Sequence, residues 1–137
     1  KKLNSIYVIY SGPGGTILKN EILNSGKKFI HVHPGLLPKY RGSTTLYYSI
    51  LINSSIGASV IIMNKNIDQG MVLHKREYLI SDKNIDFDYS LDPLIRAKAL
   101  IEFLETNKIN KEKQKKSDES YTFYIIHPLI KHAAILS

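Results

Sequence analysis

The sequence contains no cysteine, so it can form neither a disulfide nor a thiolate metal site. It also has no apolar run near the roughly 20 residues that an α-helix needs to cross a bilayer. No pattern of a charged segment followed by an apolar one, as in a secretory signal, opens the chain. These absences exclude a disulfide scaffold, and we expect a cytoplasmic protein without a membrane span.

Acidic residues are in the minority, and the formal net charge is +7. Such a balance favours anionic partners such as tRNA or other nucleic acids. Many of the lysines, however, lie in a polar run over residues 108–119, which is typical of a solvated linker. Nucleic acid is therefore a possible partner but not the favoured one.

The order of the apolar segments predicts the fold class. A chain of 137 residues suffices for one domain with a real core. Apolar, β-branched residues predict strands over 6–10 and 28–33, and a helix over 16–24 between them would bury Ile17, Leu18, Ile22 and Leu23. A strand, a helix and a strand in succession imply a right-handed crossover between parallel strands. We expect an α/β protein with a mainly parallel, Rossmann-like open sheet and flanking helices.

The rest of the chain continues this alternation. A helix is predicted over 43–53, capped by Ser43 or Thr44, and strands over 57–63 and 71–80 form a possible hairpin with Asp68 at its turn. A long helix should begin near Ser90, with Pro93 in its first turn. A strand over 121–126 and a helix over 128–136 end the chain. We predict a catalytic-domain portion over 1–107, a linker or disordered loop over 108–119, and a strand and helix over 120–137 that pack on the same domain.

Two histidines stand where the central strand ends. Side chains two apart on a strand point to the same face, so His31 and His33 should project together. Pro34 cannot donate to a sheet ladder and should end the strand. The loop that follows is punctuated by Gly35, Pro38 and Gly42. Paired imidazoles that enter such a loop are typical of active sites on open parallel sheets.

The run His-Pro-Gly-Leu-Leu-Pro-Lys-Tyr-Arg-Gly over residues 33–42 resembles the motif of the folate-dependent formyltransferases. That family includes the methionyl-tRNA, glycinamide ribonucleotide and amino-sugar formyltransferases. Its pattern is Asn-x-His, a small residue, Leu-Leu-Pro and Arg-Gly, with an Asp further on. Here Asp68 follows His33 by 35 positions, within Asn66-Ile67-Asp68-Gln69-Gly70, and the resemblance extends over about residues 5–80. His31 departs from the pattern because it occupies the asparagine position.

The resemblance implies transfer of a formyl group from 10-formyltetrahydrofolate to a primary amine, without a metal. It implies that His33 is the oxyanion donor or general acid and that Asp68 is its charge partner and the route for the amine proton. His31 would replace the asparagine as a donor. Residues expected to bind the folate are Gly15, Ile17, Leu18, Ile67 and Asp68. The resemblance begins within the family's catalytic domain, so we expect the domain's first strands to be missing from this chain.

The resemblance indicates the reaction more closely than it indicates which amine accepts the formyl group. An amino sugar carried on a nucleotide is the favoured small-molecule substrate, because the chain ends without the second domain of the tRNA enzyme. A methionyl-tRNA formyltransferase-like enzyme is the alternative, and tRNA binding would then depend strongly on salt. We also consider a homo-oligomer possible.

Other interpretations of the same residues stay open. His31, His33 and Asp68 form a two-His, one-carboxylate set that suits a metal-dependent hydrolase. A folate-binding module without activity is a further alternative. The glycine-rich turn over residues 11–15 is either a flexible connection or a place where backbone groups meet a phosphate or the folate ring. His31 itself is a donor, the mark of a weak or inactive relative, or a structural or substrate-facing residue.

Overall fold

A computed structural model of the chain describes residues 5–12, 17–80, 85–106 and 120–137. Its elements, in chain order, are β1 (Tyr7–Ile9), α1 (Asn20–Leu23), β2 (Lys28–His33), β3 (Tyr40–Gly42), α2 (Thr45–Asn53), β4 (Ile56–Ile62), β5 (Met71–Tyr78), a π-helical turn (Phe87–Leu91), α3 (Asp92–Thr106), β6 (Tyr121–Phe123) and α4 (Pro128–Leu136).

Four of the strands form one open sheet in the order β1-β2-β4-β5. The predicted parallel pairing of the first two strands is confirmed, because β1 and β2 run parallel, while the right hand of the crossover between them stays a prediction. The predicted hairpin is confirmed as well: β4 is antiparallel to both β2 and β5, and Asp68 lies in the connection between β4 and β5. Among the described strands of this sheet, one pair is parallel and two pairs are antiparallel, so the sheet is mixed where a mainly parallel one was expected. The predicted α/β fold with an open sheet and flanking helices is confirmed.

One face of this sheet packs against α3. Strand residues of β2, β4 and β5 alternate between the two faces, and those on the α3 side form a buried cluster with two helix residues. The cluster consists of Ile30, Val32, Ala58, Val60, Leu73, Ala99 and Phe103. Because His31 and His33 alternate with Ile30 and Val32, the histidines lie on the other face. Their partners in the sheet register are Ile61 and Ser59 on β4.

The other helices have a core of their own. Residues of α2, the π-helical turn, α3 and α4 pack together with the start of β4. This cluster consists of Leu46, Tyr47, Ile50, Ile56, Phe87, Leu91, Ile95, Ile126 and Ala134. The last helix is therefore attached to the same body as the sheet, while the predicted division of the chain at 107 and 120 stays a prediction.

The first helix is shorter than predicted. Only Asn20–Leu23 is helical, and none of its residues is buried. Four residues make about one turn, which is too short to form the apolar stripe on which the prediction depended. Ile17, expected to be buried, is 64% exposed. The predicted cap at Thr16 lies outside the described residues.

The predicted loop before Gly42 contains a strand. β3 pairs in parallel with β6, with Tyr40 opposite Tyr121 and Gly42 opposite Phe123. Partners so far apart in the sequence leave no local periodicity to detect. β6 is also shorter than predicted, ending at Phe123.

Two helix starts differ from the prediction. α2 begins at Thr45, and Thr44 adopts a left-handed conformation with no side-chain cap. Its hydroxyl instead donates to the Tyr124 carbonyl and accepts from the Ile126 amide. α3 begins at Asp92, because the π-helical turn precedes it, and Pro93 lies in its first turn as predicted.

The predicted linker at 108–119 lies outside the described residues. Within the described ranges, no helix has the length and apolar character to cross a membrane.

Candidate active site

The predicted pair of His33 and Asp68 is brought together by the sheet. His33 is the last residue of β2, and Asp68 reaches it from the connection between β4 and β5. His33 Nδ1 lies 3.4 Å from Asp68 Oδ1. The imidazole is almost fully buried, with 2% of the residue exposed. An acid and a base 35 positions apart therefore form one contact.

Two backbone groups of strand β3 contact the His33–Asp68 pair, one on each side chain. The carbonyl oxygen of Tyr40 lies 2.8 Å from His33 Nε2. The amide of Gly42 donates to Asp68 Oδ2 at 2.8 Å. Because a carbonyl can only accept, the contact with Tyr40 is a hydrogen bond when Nε2 carries a proton. Asp68 then faces Nδ1, the nitrogen at which a second proton would form the imidazolium ion.

Opposing effects act on the charge of His33. Burial lowers the pKa of the imidazole below its ordinary 6.5, and the Asp68 carboxylate and the Tyr40 carbonyl offset this effect only in part. The buried environment therefore favours the neutral ring, while Asp68 stabilises a proton on Nδ1. A pair arranged in this way can take up a proton and release it again.

The loop between β2 and β3 is held close to His33. The hydroxyl of Ser59 on β4 donates to the Gly35 carbonyl at 2.7 Å and accepts from the Leu37 amide at 3.1 Å. A Cβ on Gly35 would lie 2.8 Å from His33 Nε2 and 2.9 Å from the Tyr40 carbonyl oxygen. Only glycine leaves room for the contact between His33 and Tyr40.

His31 lies on the same face as His33 but makes looser contacts. Its Nδ1 is 3.5 Å from the Tyr10 carbonyl oxygen, at the outer limit of a hydrogen bond, and its ring is tilted against the Tyr10 ring. Burial lowers the pKa of the His31 imidazole, against the opposing effect of the Tyr10 carbonyl. A half-buried, neutral imidazole can donate a hydrogen bond from one nitrogen.

An ion pair on α3 also acts on the histidines, and the sequence analysis did not assign it to the site. Arg96 Nη2 lies 2.7 Å from Asp92 Oδ2, and both charges interact electrostatically with His33. Burial raises the pKa of the Asp92 carboxyl, which Arg96 partly counteracts. The spacing of Asp92 and Arg96, four residues apart on a helix, was the one available signal.

The structure brings together only some of the residues that were predicted to bind the folate. Ile17 and Leu18 line a cleft of about 570 Å³ together with Lys65 and the residues of α1 up to Glu21. Ile67 is 56% exposed and does not line this cleft. Asp68 turns toward His33 instead, and Gly15 lies outside the described residues. The cleft beside α1 and the buried His33–Asp68 pair are therefore separate features of this conformation.

The alternative of a metal-dependent hydrolase requires His31, His33 and Asp68 to form a two-His, one-carboxylate set. Among the described residues, no group of three or more His, Asp or Glu side chains is arranged to hold a metal ion. Both ring nitrogens of His33 face protein atoms, namely the Tyr40 carbonyl and the Asp68 carboxylate.

The open sheet and its flanking helices define an α/β protein, and the buried His–Asp pair at a strand end is its candidate acid–base site. The family model of the formyl transferases matches residues 7–89, and this chain belongs to that family.

Relatives of known sequence and structure agree with this assignment. The chain is 39% identical to the methionyl-tRNA formyltransferase of Buchnera aphidicola over 108 residues, which are 77% of this chain and 34% of the relative. The chain thus spans about a third of the length of the curated relatives it matches.

Among solved structures, the formyltransferase PseJ from Anoxybacillus kamchatkensis, in complex with a UDP-linked formamido sugar and tetrahydrofolate, matches with a TM-score of 0.66 and 21% identity, over 89% of this chain and 66% of that one. The methionyl-tRNA formyltransferase from Clostridium thermocellum matches with a TM-score of 0.64 and 21% identity, over 92% of this chain and 54% of that one. At these identities the structures support the fold.

Proposed function

We propose that this chain transfers a formyl group from 10-formyltetrahydrofolate to a primary amine of a nucleotide-linked amino sugar. The observation that carries the proposal is the contact between His33 Nδ1 and Asp68 Oδ1 in a chain of the formyl transferase family. Formyl transfer joins the amine nitrogen to the formyl carbon, which places negative charge on the formyl oxygen. The amine then loses a proton, and the bond between the formyl carbon and the folate nitrogen breaks as that nitrogen takes up a proton and tetrahydrofolate leaves. The His33–Asp68 pair offers one group for the oxyanion and one for the amine proton.

In this proposal His33 donates to the developing oxyanion. A preorganised donor of this kind contributes about 3 kcal/mol in a water-excluded site. The Tyr40 carbonyl would keep the ring in place at Nε2, the formyl oxygen would approach the same N–H beside that carbonyl, and Asp68 would stabilise the protonated ring from the Nδ1 side. Asp68 would also receive the amine proton through water.

His31 is proposed as the second donor to the oxyanion. It stands on the same face of β2 and occupies the place of the family asparagine. An asparagine amide always carries N–H donors, whereas a neutral imidazole donates from one ring nitrogen only. The lowered pKa of His31 fits a neutral donor.

The folate would be held by the cleft beside α1. Ile17 and Leu18 offer apolar contacts for a flat ring, and Lys65 stands at the same cleft to meet a carboxylate. When bound there, the folate supplies the formyl group. Gly15 and Ile67 are proposed to join this surface, with Asp68 at the boundary to the histidines.

For the acceptor, the structure of PseJ with a UDP-linked formamido sugar supports the amino-sugar proposal. The second candidate is methionyl-tRNA, which the 39% identity to the Buchnera enzyme favours.

One assay separates the candidates. The purified chain is incubated with 10-formyltetrahydrofolate and either UDP- or dTDP-linked amino sugars or methionyl-tRNA, and release of tetrahydrofolate is recorded. Turnover with a sugar and not with tRNA supports the main proposal. Turnover with methionyl-tRNA alone, lost steeply with rising salt, supports the second candidate. Stoichiometric zinc or iron that is lost in His31→Ala, without formyl transfer to any amine, would overturn both.

A further inference from the structure

Strand β3 makes two sets of backbone contacts, one on each edge. Backbone groups of alternate residues in a strand point to opposite edges. The Tyr40 carbonyl and the Gly42 amide face the His33–Asp68 pair. On the other edge, the Lys39 carbonyl accepts from the Tyr121 amide at 3.1 Å, and the Ser43 amide donates to the Phe123 carbonyl at 2.9 Å. β3 therefore lies between the pair and strand β6.

Phe123 on β6 lies directly behind the two residues that hold the pair. Its ring stacks on the Tyr48 ring with centroids 4.4 Å apart and on the Tyr40 ring with centroids 5.6 Å apart. Its carbonyl oxygen packs so closely on Gly42 that a Cβ there would lie 2.1 Å away, and Gly42 has a φ of +94°. The positions of the Tyr40 carbonyl and the Gly42 amide thus depend on Phe123.

We propose that Phe123 is a positioning residue for the His33–Asp68 pair, acting through strand β3. Its effect on catalysis rests on the proposed function, whereas its effect on the geometry of His33 does not. Removal of the ring frees β3 to shift, so that the Tyr40 carbonyl no longer holds Nε2 and the Gly42 amide no longer holds Asp68. The C-terminal segment of the chain then acts as part of the site without touching substrate.

The geometry is tested first by proton NMR at acidic to neutral pH. A buried ring N–H donated to the Tyr40 carbonyl should exchange slowly with water and give a downfield resonance, which His33→Ala assigns by removing it. Phe123→Ala should broaden or abolish this resonance, and Phe123→Tyr, which keeps the ring, should restore it. Tyr124→Ala is the matched control, because that neighbouring side chain is 78% exposed and stacks on neither ring.

The other titratable and charged groups that interact electrostatically with His33 are the same in all of these variants. They are His31 on β2, Asp68 on the connection between β4 and β5, and Asp92 and Arg96 on α3. A resonance that persists unchanged in folded Phe123→Ala would overturn the inference.

Kinetics provide the second measurement. Phe123→Ala should lower kcat by about tenfold or more, since small misplacements of catalytic groups are costly. It should leave KM for the folate within about twofold, because Phe123 does not line the cleft beside α1. A merely structural role would lower the folded fraction without changing the resonance or the ratio of the constants. If the unaltered chain transfers no formyl group, the proposed function fails, and the NMR comparison still decides the positioning role.

Discussion

The substitution Asp68→Asn removes the negative charge of this side chain and keeps nearly the same shape. Asn has the same number of heavy atoms and keeps an oxygen that accepts from the Gly42 amide. Asp68 has a φ of +52°, in the left-handed region that asparagine tolerates well. The variant therefore keeps the backbone and one hydrogen bond, and it loses the negative charge opposite His33 Nδ1.

Two different magnitudes are expected from this change. Loss of a positioned proton acceptor lowers kcat by about 10² to 10⁴, which corresponds to about 3–5 kcal/mol of transition-state stabilisation. Folding should be affected far less. A charge-assisted hydrogen bond to Gly42 becomes a neutral one, which costs about 1 kcal/mol.

Single-turnover transfer to the accepted amine and urea unfolding measure the two effects side by side. Asp88→Asn is the matched control: Asp88 bonds to Tyr47 and Lys131, away from the histidines, so kcat should stay within about twofold. If folded Asp68→Asn turned over at the rate of the unaltered chain, the assignment of Asp68 as the proton route would be refuted.

Three further changes test neighbouring parts of the site. His31→Asn, which restores the family residue, should keep formyl transfer within about tenfold. Folding lowers the pKa of His31, so the unfolded chain binds this proton more readily and the unaltered chain should lose stability as the pH falls through 6.5. Urea unfolding at several pH values should show a smaller loss in the variant. Gly35→Ala should lower kcat by about 10- to 100-fold, because the added methyl group displaces His33 from Tyr40; an unchanged kcat would contradict this contact. Ser59→Ala should cost about 1–3 kcal/mol in the free energy of unfolding by leaving Gly35 and Leu37 unpaired, whereas the exposed Ser90→Ala should not.

Local periodicity was sufficient to predict most of the sheet and the last helix. β2 and α4 match their predicted bounds, because both have strong patterns with clear boundaries: Pro34 ends the strand, and Pro128 opens the helix. The prediction of a longer α1 was wrong, because this segment has the apolar pattern without a surface to pack against in the described part of the chain. Its apolar residues have helical spacing, but the described fold buries none of its residues, and spacing alone does not supply a packing partner.

The contact between His33 and Asp68 was predictable, but the backbone groups that hold it were not. The strand spacing of His31 and His33 predicted a shared face, and the resemblance to the formyltransferases indicated Asp68 as the charge partner of His33. The sequence could not predict the roles of Tyr40 and Gly42, because both act through backbone groups whose direction depends on the formation of β3. β3 in turn pairs with β6, about 80 residues further along the chain.

The dependence on β3 explains why the motif around His33 requires particular residues beyond the histidine itself. Gly35 leaves room for the ring nitrogen, and Gly42 accepts the close approach of Phe123 while its amide holds Asp68. A larger side chain would clash with β2 at Gly35 and with β6 at Gly42. Since both clashes act on the same His–Asp contact, a substitution at either glycine should disturb the pair even though neither residue carries a reacting group. The proposed chemistry would thus depend on the close packing of three strands as much as on the identity of the acid and the base.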